Sequence, residues 1–297
     1  MAARPVSEPC VGRKIFLMVT CTICGVSASF MAKHPEADLY RCSACTHCFS
    51  DPGSVEVEPY AEDYFEHHHR RWFSHPNIAL FAAIAAKLPM GASVLDVGCG
   101  RGDFLKYLRK NRPDLSLSGV DLSPNVESPG IRFYRGDFLK VSFPEQFDAV
   151  VSLAVIEHVV DIRSFVARMK RVARPRGTIT VMTLNEASLL YGLARTGRRL
   201  GVSLAFNRLY SRHHVHHFTR HSLRTLMEQA GCAIESDHTH NAPLAAIDIP
   251  VSNRWADVVL RSGMWVLCKV GDMTGRAYLQ TVSCRIVSPS ESFRASA

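Results

Sequence analysis

The chain has 297 residues, of which 47% are apolar, so it can bury a full core as one large domain or as one domain with a small module. Its formal net charge of +8 is uneven, because residues 1–159 hold 16 Lys and Arg against 18 Asp and Glu, whereas residues 160–297 hold 19 against 9. This composition argues against a mainly disordered chain, and no apolar run approaches the roughly 20 residues that a membrane-spanning helix needs.

The N-terminal segment, residues 1–17, is predicted to be a flexible leader, or an extension that results from a translation start assigned too far upstream. Its apolar run at residues 15–19 is too short for a signal peptide. Without an export signal, we expect a cytoplasmic protein whose ten cysteines are reduced.

Residues 18–53 contain two Cys-x2-Cys pairs with 17 residues between them. This is the spacing of a two-knuckle zinc ribbon, in which four thiolates complete a closed tetrahedral site. A segment this short buries little core, so a structural Zn²⁺ would supply its folding energy. Four unconnected buried thiols are the alternative, and Cys48 is either a strand residue or a replacement fourth ligand. The predicted metal ligands are Cys21, Cys24, Cys42 and Cys45.

Residues 54–91 are predicted to form a helical linker that caps the ligand site of the following domain. We expect His67–His69 to lie on a helix near the mouth of that site, because adjacent helical positions do not face one metal. An Ala-rich apolar helix is predicted at Ile78–Leu88.

The most informative stretch is Ser93–Leu105, SVLDVGCGRGDFL, in which an apolar strand enters a glycine-rich loop before a helix. Glycine lets a ligand lie against the backbone, and the amides at a helix start favour a negative group. A second strand ends in Asp121, where a carboxylate can bind a ribose. A dinucleotide fingerprint needs G-x-G-x-x-G, but its third glycine is replaced here by Asp103, which would repel a pyrophosphate. The glycines of the loop are Gly98, Gly100 and Gly102.

These residues resemble the class I S-adenosylmethionine-dependent methyltransferases. The resemblance runs in unbroken order over residues 92–183 and more loosely over residues 230–287. It implies an α/β fold with a Rossmann-like, doubly wound, seven-stranded sheet over residues 92–287, and S-adenosylmethionine as the cofactor. The motifs that carry it are LDVGCGRG, GVDLS, RGDF (135–138), FDAVVSLAVIEHV (147–159) and VARPRGTITVMT (172–183).

The resemblance also implies a role for each matching residue. The three glycines would cradle the methionine end of the cofactor, and Asp96 would orient its ammonium group. Asp121 would accept both ribose hydroxyls. A plain turn residue is the alternative for Asp137. The remaining implied contacts are Leu122 at the adenine face, Asp137 at the adenine amino group with Phe138 alongside, and Leu153 and Ala154 near the reacting sulfur.

The alternation of strands and helices predicts a parallel, doubly wound sheet. Helices are expected at Asp103–Lys110 and Asp161–Ala173. Only residues 122–130 separate the second and third strands, so a crossover helix starting at Ser123-Pro124 can have at most two turns. The predicted strands are Ser93–Val97, Leu117–Asp121, Ile131–Arg135, Phe147–Leu153 and Thr178–Thr183.

An amphipathic, basic acceptor lid is predicted at about residues 185–218. If the acceptor is a hydroxyl, a histidine is the natural base near neutral pH. His217 and His158 are the predicted catalytic residues, with a hydrogen bond at a helix end as the alternative for each. The other candidates are His213, His214 and His216.

Thr219 is predicted to cap a helix that ends near residue 230, and the last two strands are predicted at Cys232–Asp237 and Leu279–Val287. Between these strands lies an insert of about residues 239–278 with an apolar helical stripe. We expect the stripe to pack on the domain, with a membrane-surface helix as the alternative. Residues 288–297 are predicted to be a frayed tail. The stripe consists of Trp255, Val258, Val259, Trp265 and Val266.

The leading hypothesis is a methyltransferase of a small, hydroxyl-bearing or anionic metabolite, sugar or lipid precursor, acting by O-methylation. The basic second half also suits a tRNA or rRNA methyltransferase, although no RNA-binding module is recognisable. A non-catalytic scaffold is the third hypothesis, and the intact set of glycines and aspartates argues against it. The sequence does not identify the acceptor or the oligomeric state.

Overall fold

The computed structural model describes residues 19–51, 70–123, 128–247 and 253–287. Four predictions fall on other residues and stay predictions: the leader at 1–17, the histidines His67–His69, the crossover helix beginning near Pro124, and the tail at 288–297. The bounds predicted for the domains are likewise retained as predictions.

The cysteine-rich segment forms a small antiparallel sheet. Its strands β1 (Ala28–Lys33), β2 (Asp38–Cys42) and β3 (Cys48–Ser50) follow one another as a meander. A fourth strand, β9 (His216–His217), comes from the far part of the chain and pairs antiparallel with β3. The sequence gives no sign of this pairing, which joins the small sheet to the main domain.

The main sheet has seven strands in the order β10-β11-β8-β7-β4-β5-β6. Strands β6, β5, β4, β7 and β8 are parallel to their neighbours, and β11 and β10 are antiparallel at one edge. The Rossmann-like seven-stranded fold is therefore confirmed. The strands are β4 (Ser93–Val97), β5 (Ser116–Asp121), β6 (Ile131–Arg135), β7 (Phe147–Leu153), β8 (Ala173–Leu184), β10 (Cys232–His240) and β11 (Leu279–Ile286).

Helices cover both faces of this sheet. The predicted cap of α7 is confirmed, because Thr219 accepts a hydrogen bond from the backbone amide of Ser222. Asp161, predicted as the first residue of a helix, caps α4 by accepting a hydrogen bond from the Ser164 amide. The helices are α1 (Arg70–Ser74), α2 (Ile78–Ala85), α3 (Asp103–Asn111), α4 (Ile162–Val172), α5 (Leu189–Arg199), α6 (Leu204–Leu209), α7 (Arg220–Gln229) and α8 (Arg254–Thr274).

Strand β8 starts earlier than the predicted Thr178. Phe147 pairs with Ala173 and Ala149 with Thr178, so residues 174–177 form a bulge between two paired positions. Arg176 takes a φ of 63° within it. Regular pairing of β8 with β7 thus begins at the predicted Thr178, and the bulge accounts for the earlier residues of β8.

The prediction that the stripe of the insert packs on the domain is wrong. Its residues lie on α8 and are all exposed, Trp255 to 81%. The opposite face of the same helix faces the domain, where Met264 and Leu267 line a small crevice together with Leu189 of α5. No helix in the described ranges is both long and apolar enough to cross a membrane.

Candidate functional site

The glycine-rich loop lies at the carboxyl ends of β4 and β5, where parallel sheets bind ligands. Gly98, Gly100 and Gly102 have φ values of 71°, 50° and 72°, which side chains rarely adopt. A Cβ at Gly98 would lie 2.4 Å from Val155 Cγ2, and one at Gly102 would lie 3.0 Å from Phe133 Cζ. A Cβ at Gly100 would have no neighbouring heavy atom within 4 Å, so this backbone faces open space.

That space belongs to an open cleft with a volume of about 120 Å³. Its floor is formed by the glycine loop and by the ends of β7 and β8. Side chains of α1 and α2 form one wall of it, and the capping role of residues 54–91 stays a prediction, because residues 54–69 lie outside the described ranges. The lining includes Asp96, Gly98, Gly100, Leu153, Ala154, Met182, Trp72 and Phe81.

Acidic side chains gather at this loop. Asp96, at 3% exposure, has its pKa raised to about 8, first by burial and then by the charges of Asp121 and Asp103. With a pKa near 8 this carboxyl group is largely neutral at pH 7, and a bound cation would favour its ionised form, whereas a phosphate would oppose it. The loop therefore combines open backbone with a negative potential.

Asp121 lies at the end of β5, as predicted. Its Oδ2 accepts a hydrogen bond of 2.8 Å from the Gly100 amide, and its Oδ1 accepts one of 2.8 Å from the Ser123 amide. These bonds fix the carboxylate beside the glycine loop. Leu122, which follows it, is 59% exposed, as a residue at an open adenine face would be.

Asp137 and Phe138 follow β6 in a turn. Asp137 Oδ1 accepts a hydrogen bond of 2.9 Å from the Leu139 amide, which matches the turn alternative without excluding a further contact. Phe138 is buried in the core with its ring centroid 5.4 Å from that of Phe165. Their contact with an adenine stays a prediction.

The end of β7 supplies the next wall of the cleft. Ala154 adopts a left-handed φ of 57°, a conformation that costs energy for any residue except glycine and is frequent at functional sites. Its amide donates a hydrogen bond of 2.9 Å to the Met182 carbonyl, which holds the chain at the cleft.

Glu157 was not among the residues predicted for the site. Its carboxyl group is buried, its pKa is raised by burial to about 7, and it accepts a hydrogen bond of 2.8 Å from Thr183 Oγ1. The acidic residue before His158 in the IEHVV stretch was the available signal. A buried carboxyl group titrating near neutrality is a candidate for proton transfer.

The two predicted catalytic histidines lie on neighbouring segments of the chain, and neither is among the residues that line the cleft. His158 Nδ1 is 2.5 Å from the His213 carbonyl oxygen, and its ring centroid is 4.9 Å from that of His214. His217 is buried in β9, which lowers its pKa to about 3, and its ring lies 4.6 Å from that of Tyr210. Their catalytic roles stay predictions.

A buried charge cluster connects the small sheet with the predicted lid. Glu186, at 1% exposure, binds the guanidinium groups of Arg41 from β2 and of Arg195 from α5. It also accepts a hydrogen bond of 2.5 Å from the hydroxyl of Tyr210. Sequence reasoning missed this cluster, because Arg41 and Glu186 lie 145 residues apart.

The four predicted cysteines come together. Their sulfur atoms all lie within 4.8 Å of one another, with Cys21 Sγ 3.5 Å from Cys45 Sγ and Cys24 Sγ 3.4 Å from Cys42 Sγ. Four thiols so close, on two tight turns, form the donor set that a tetrahedral Zn²⁺ takes. Cys48 Sγ instead lies 3.6 Å from Met31 Sδ.

Comparison with known proteins agrees with this geometry. Residues 64–237 match a family model described as a methyltransferase domain. An uncharacterised methyltransferase of Mycobacterium tuberculosis is 33% identical over 125 residues, covering 39% of this chain and 64% of that protein. The ubiquinone biosynthesis O-methyltransferase of Methylococcus capsulatus is 34% identical over 119 residues, covering 36% of this chain and 49% of that protein.

The fold is also found among solved structures. Phosphoethanolamine N-methyltransferase 2 of Haemonchus contortus, in complex with S-adenosyl-L-methionine, superposes with a TM-score of 0.54 at 14% identity. The superposition covers 78% of this chain and 61% of that one.

Proposed function

Because the chain belongs to the family of methyltransferase domains, we propose that it uses S-adenosylmethionine to methylate an oxygen atom of a small-molecule acceptor. The sequence relative from Methylococcus capsulatus is named as an O-methyltransferase, which supports oxygen as the target. The match spans about half of that protein, so the acceptor itself is inferred here from chemistry and not from the name.

One observation carries the assignment of the cleft to the cofactor: the open backbone at Gly100 lies in a cluster of carboxylates. The side chains of Asp96, Asp103 and Asp121 act on one another there. S-adenosylmethionine brings a sulfonium methyl donor and an ammonium group, whereas a dinucleotide would bring phosphates. The negative potential favours the first and opposes the second.

We assign the binding roles accordingly. Gly98, Gly100 and Gly102 would present their backbone to the methionine end, and ionised Asp96 would bind the ammonium group. Asp121, which is held by hydrogen bonds from two backbone amides, would bind the ribose hydroxyls. The contacts with the adenine and the sulfur would come from Leu122, Asp137, Phe138, Leu153 and Ala154.

A hydroxyl acceptor must lose a proton during methyl transfer, and three residues of this chain are candidates for taking it. His158 and His217 are the predicted candidates, and Glu157 joins them because its pKa is raised to about 7. None of the three is among the residues that line the cleft. Since the cofactor supplies the leaving group, the larger part of the protein's task is to align the acceptor oxygen.

We also propose that Cys21, Cys24, Cys42 and Cys45 bind a structural Zn²⁺. The compact sulfur cluster supports this, and four thiolates leave no open coordination position for catalysis. Metal content measured after purification, in the native chain and in the Cys45→Ser variant, tests this assignment directly.

Titration calorimetry with S-adenosylhomocysteine tests the cofactor site. Gly100→Val should weaken binding by at least a hundredfold, because its side chain would occupy the space that the ligand needs. Gly91→Val is the matched control: Gly91 also has a positive φ and open surroundings, but it precedes β4 at the opposite end of the strand. Unchanged binding by Gly100→Val, or equal loss in both variants, would contradict the proposal.

A methyl-labelled donor tests the acceptor. When the donor is incubated with cell extract and with this protein, the label should appear in small molecules. The labelled methyl group should resist mild base, as an ether does, and mass spectrometry should locate it on an oxygen atom. Label found only in nucleic acid, or on nitrogen, would overturn the proposed acceptor while leaving the cofactor site intact.

A further inference from the structure

Helix α8 exposes an apolar face that the catalytic domain does not cover. Its seven outward apolar residues follow helical spacing and form a strip along the 21-residue helix. Trp255 is 81% and Met273 is 86% exposed at its two ends. Isolated exposed apolar residues are ordinary, but a strip of this length marks an interaction surface. The strip consists of Trp255, Val258, Val259, Trp265, Val266, Val270 and Met273.

The acidic residues of α8 are engaged by other groups. Asp257 forms an ion pair with Arg261 at 3.0 Å, and Asp272 accepts a hydrogen bond of 2.7 Å from Asn241. Lys269 lies beside the strip with its ammonium group 6.0 Å from the centre of the Trp265 ring. A lysine above a tryptophan is an arrangement suited to the boundary between water and hydrocarbon.

The neighbouring predicted lid adds exposed apolar and cationic side chains. Helix α5 contacts α8, and the segment from α5 to α6 exposes four further apolar side chains. Residues 185–218 contain five arginines and one acidic residue, Glu186, which is buried. Arg199 and Arg208 are exposed among the apolar residues. The exposed apolar residues are Leu193, Leu200, Val202 and Leu204.

We propose that α8 and this lid together form a docking face for a membrane surface that contains anionic lipid. The strip would enter the boundary between headgroups and acyl chains, and the arginines would bind lipid phosphates. A second copy of the chain fits less well, because a two-fold contact would bring the same arginines together without acidic partners. The helix lies on the bilayer and does not cross it, in agreement with its hydropathy.

Vesicle flotation tests the proposal with the full chain. Wild type should bind vesicles of phosphatidylcholine mixed with phosphatidylglycerol, and should bind pure phosphatidylcholine vesicles about tenfold more weakly. The double variant Val259→Asp/Val266→Asp should lose binding about tenfold or more, since it removes two apolar contacts and adds two negative charges. Both positions are exposed, so the fold is retained, which circular dichroism verifies.

Met90→Asp is the matched control. Met90 is 90% exposed but precedes β4, at the opposite edge of the sheet from the cofactor cleft, and its substitution should leave vesicle binding unchanged. Failure of the wild type to bind anionic vesicles, or equal binding by the double variant, would overturn the proposal. Dimerisation in vesicle-free solution that the double variant abolishes would also overturn it in favour of a second copy. Cofactor binding measured in parallel keeps this outcome separate from that of the methyltransferase assignment.

Discussion

At the scale of single residues, Glu157 connects the fold to the chemistry of the site. It is buried and its pKa is raised by burial from 4.5 to about 7, while Thr183 donates a hydrogen bond to it. The folded protein therefore holds a proton that the unfolded chain releases above about pH 4.5. Stability from this residue is present at low pH and is lost as the pH rises toward 7.

Glu157→Gln should remove this dependence. Between about pH 5.5 and pH 8 the variant should gain roughly 2 kcal/mol in unfolding free energy relative to wild type. Urea denaturation at the two pH values measures the difference, in which titrations common to both proteins cancel. A constant difference across this range would show that Glu157 is already ionised at pH 5.5.

The sequence predicts a site well when local turns and strand ends bring its residues together. Gly100 of the glycine loop and Asp121 are 21 residues apart, and their spacing encodes the turn and the strand end that hold them. The cysteines likewise come in two short pairs whose turns place the sulfurs together. Glu157 was missed because nothing in its own sequence neighbourhood shows that β8 covers it.

At the scale of elements, the contact between the small sheet and the lid depends on one buried carboxylate. Glu186 joins Arg41 of β2, Arg195 of α5 and Tyr210, which follows α6. A buried carboxylate needs every one of its partners, because burial would otherwise favour its neutral form. This cluster therefore fixes the lid relative to the small sheet.

Tyr210→Phe should lower the free energy of unfolding by about 2 kcal/mol, since it removes a hydrogen bond to a buried charge. Tyr107→Phe serves as the control: the Tyr107 ring packs with its centroid 5.8 Å from that of Phe81, and its hydroxyl is not part of the Glu186 cluster, so loss of that hydroxyl should change the free energy of unfolding by less than about 0.5 kcal/mol. Chemical denaturation compares the two. Equal effects would mean that the hydroxyl of Tyr210 contributes nothing specific.

Elements were predicted best where their own periodicity decides them. Strands β4, β6 and β7 begin and end at the predicted residues, because each is a buried or half-buried run between turns. Helix α8 shows where sequence periodicity fails as a guide. Its apolar stripe was visible in the sequence, but which face of the helix meets the domain depends on contact with α5. The pairing of β9 with β3 depends on tertiary contact in the same way.

At the scale of the whole molecule, the cysteine-rich segment and the main sheet share one core. Ile23 and Phe49 belong to the same buried cluster as Leu95 and Phe218. Arg163 of α4 also donates hydrogen bonds to the carbonyls of the first cysteine turn. A metal at that turn would therefore stabilise the methyltransferase domain as well as the small sheet.

If the proposed Zn²⁺ is bound there, its removal should lower the stability of the entire chain. We expect Cys42→Ser, or treatment with a strong zinc chelator, to lower the midpoint of a single thermal transition by about 10 °C. Cys268→Ser is the matched control: Cys268 is a half-buried thiol on α8, outside the sulfur cluster, and its loss should shift the midpoint by no more than about 2 °C. Calorimetry distinguishes the two outcomes, because an independent small domain would melt separately and leave the main transition where it was. A main transition unmoved by the chelator would show that the small sheet and the methyltransferase domain fold as separate units, despite the core they share.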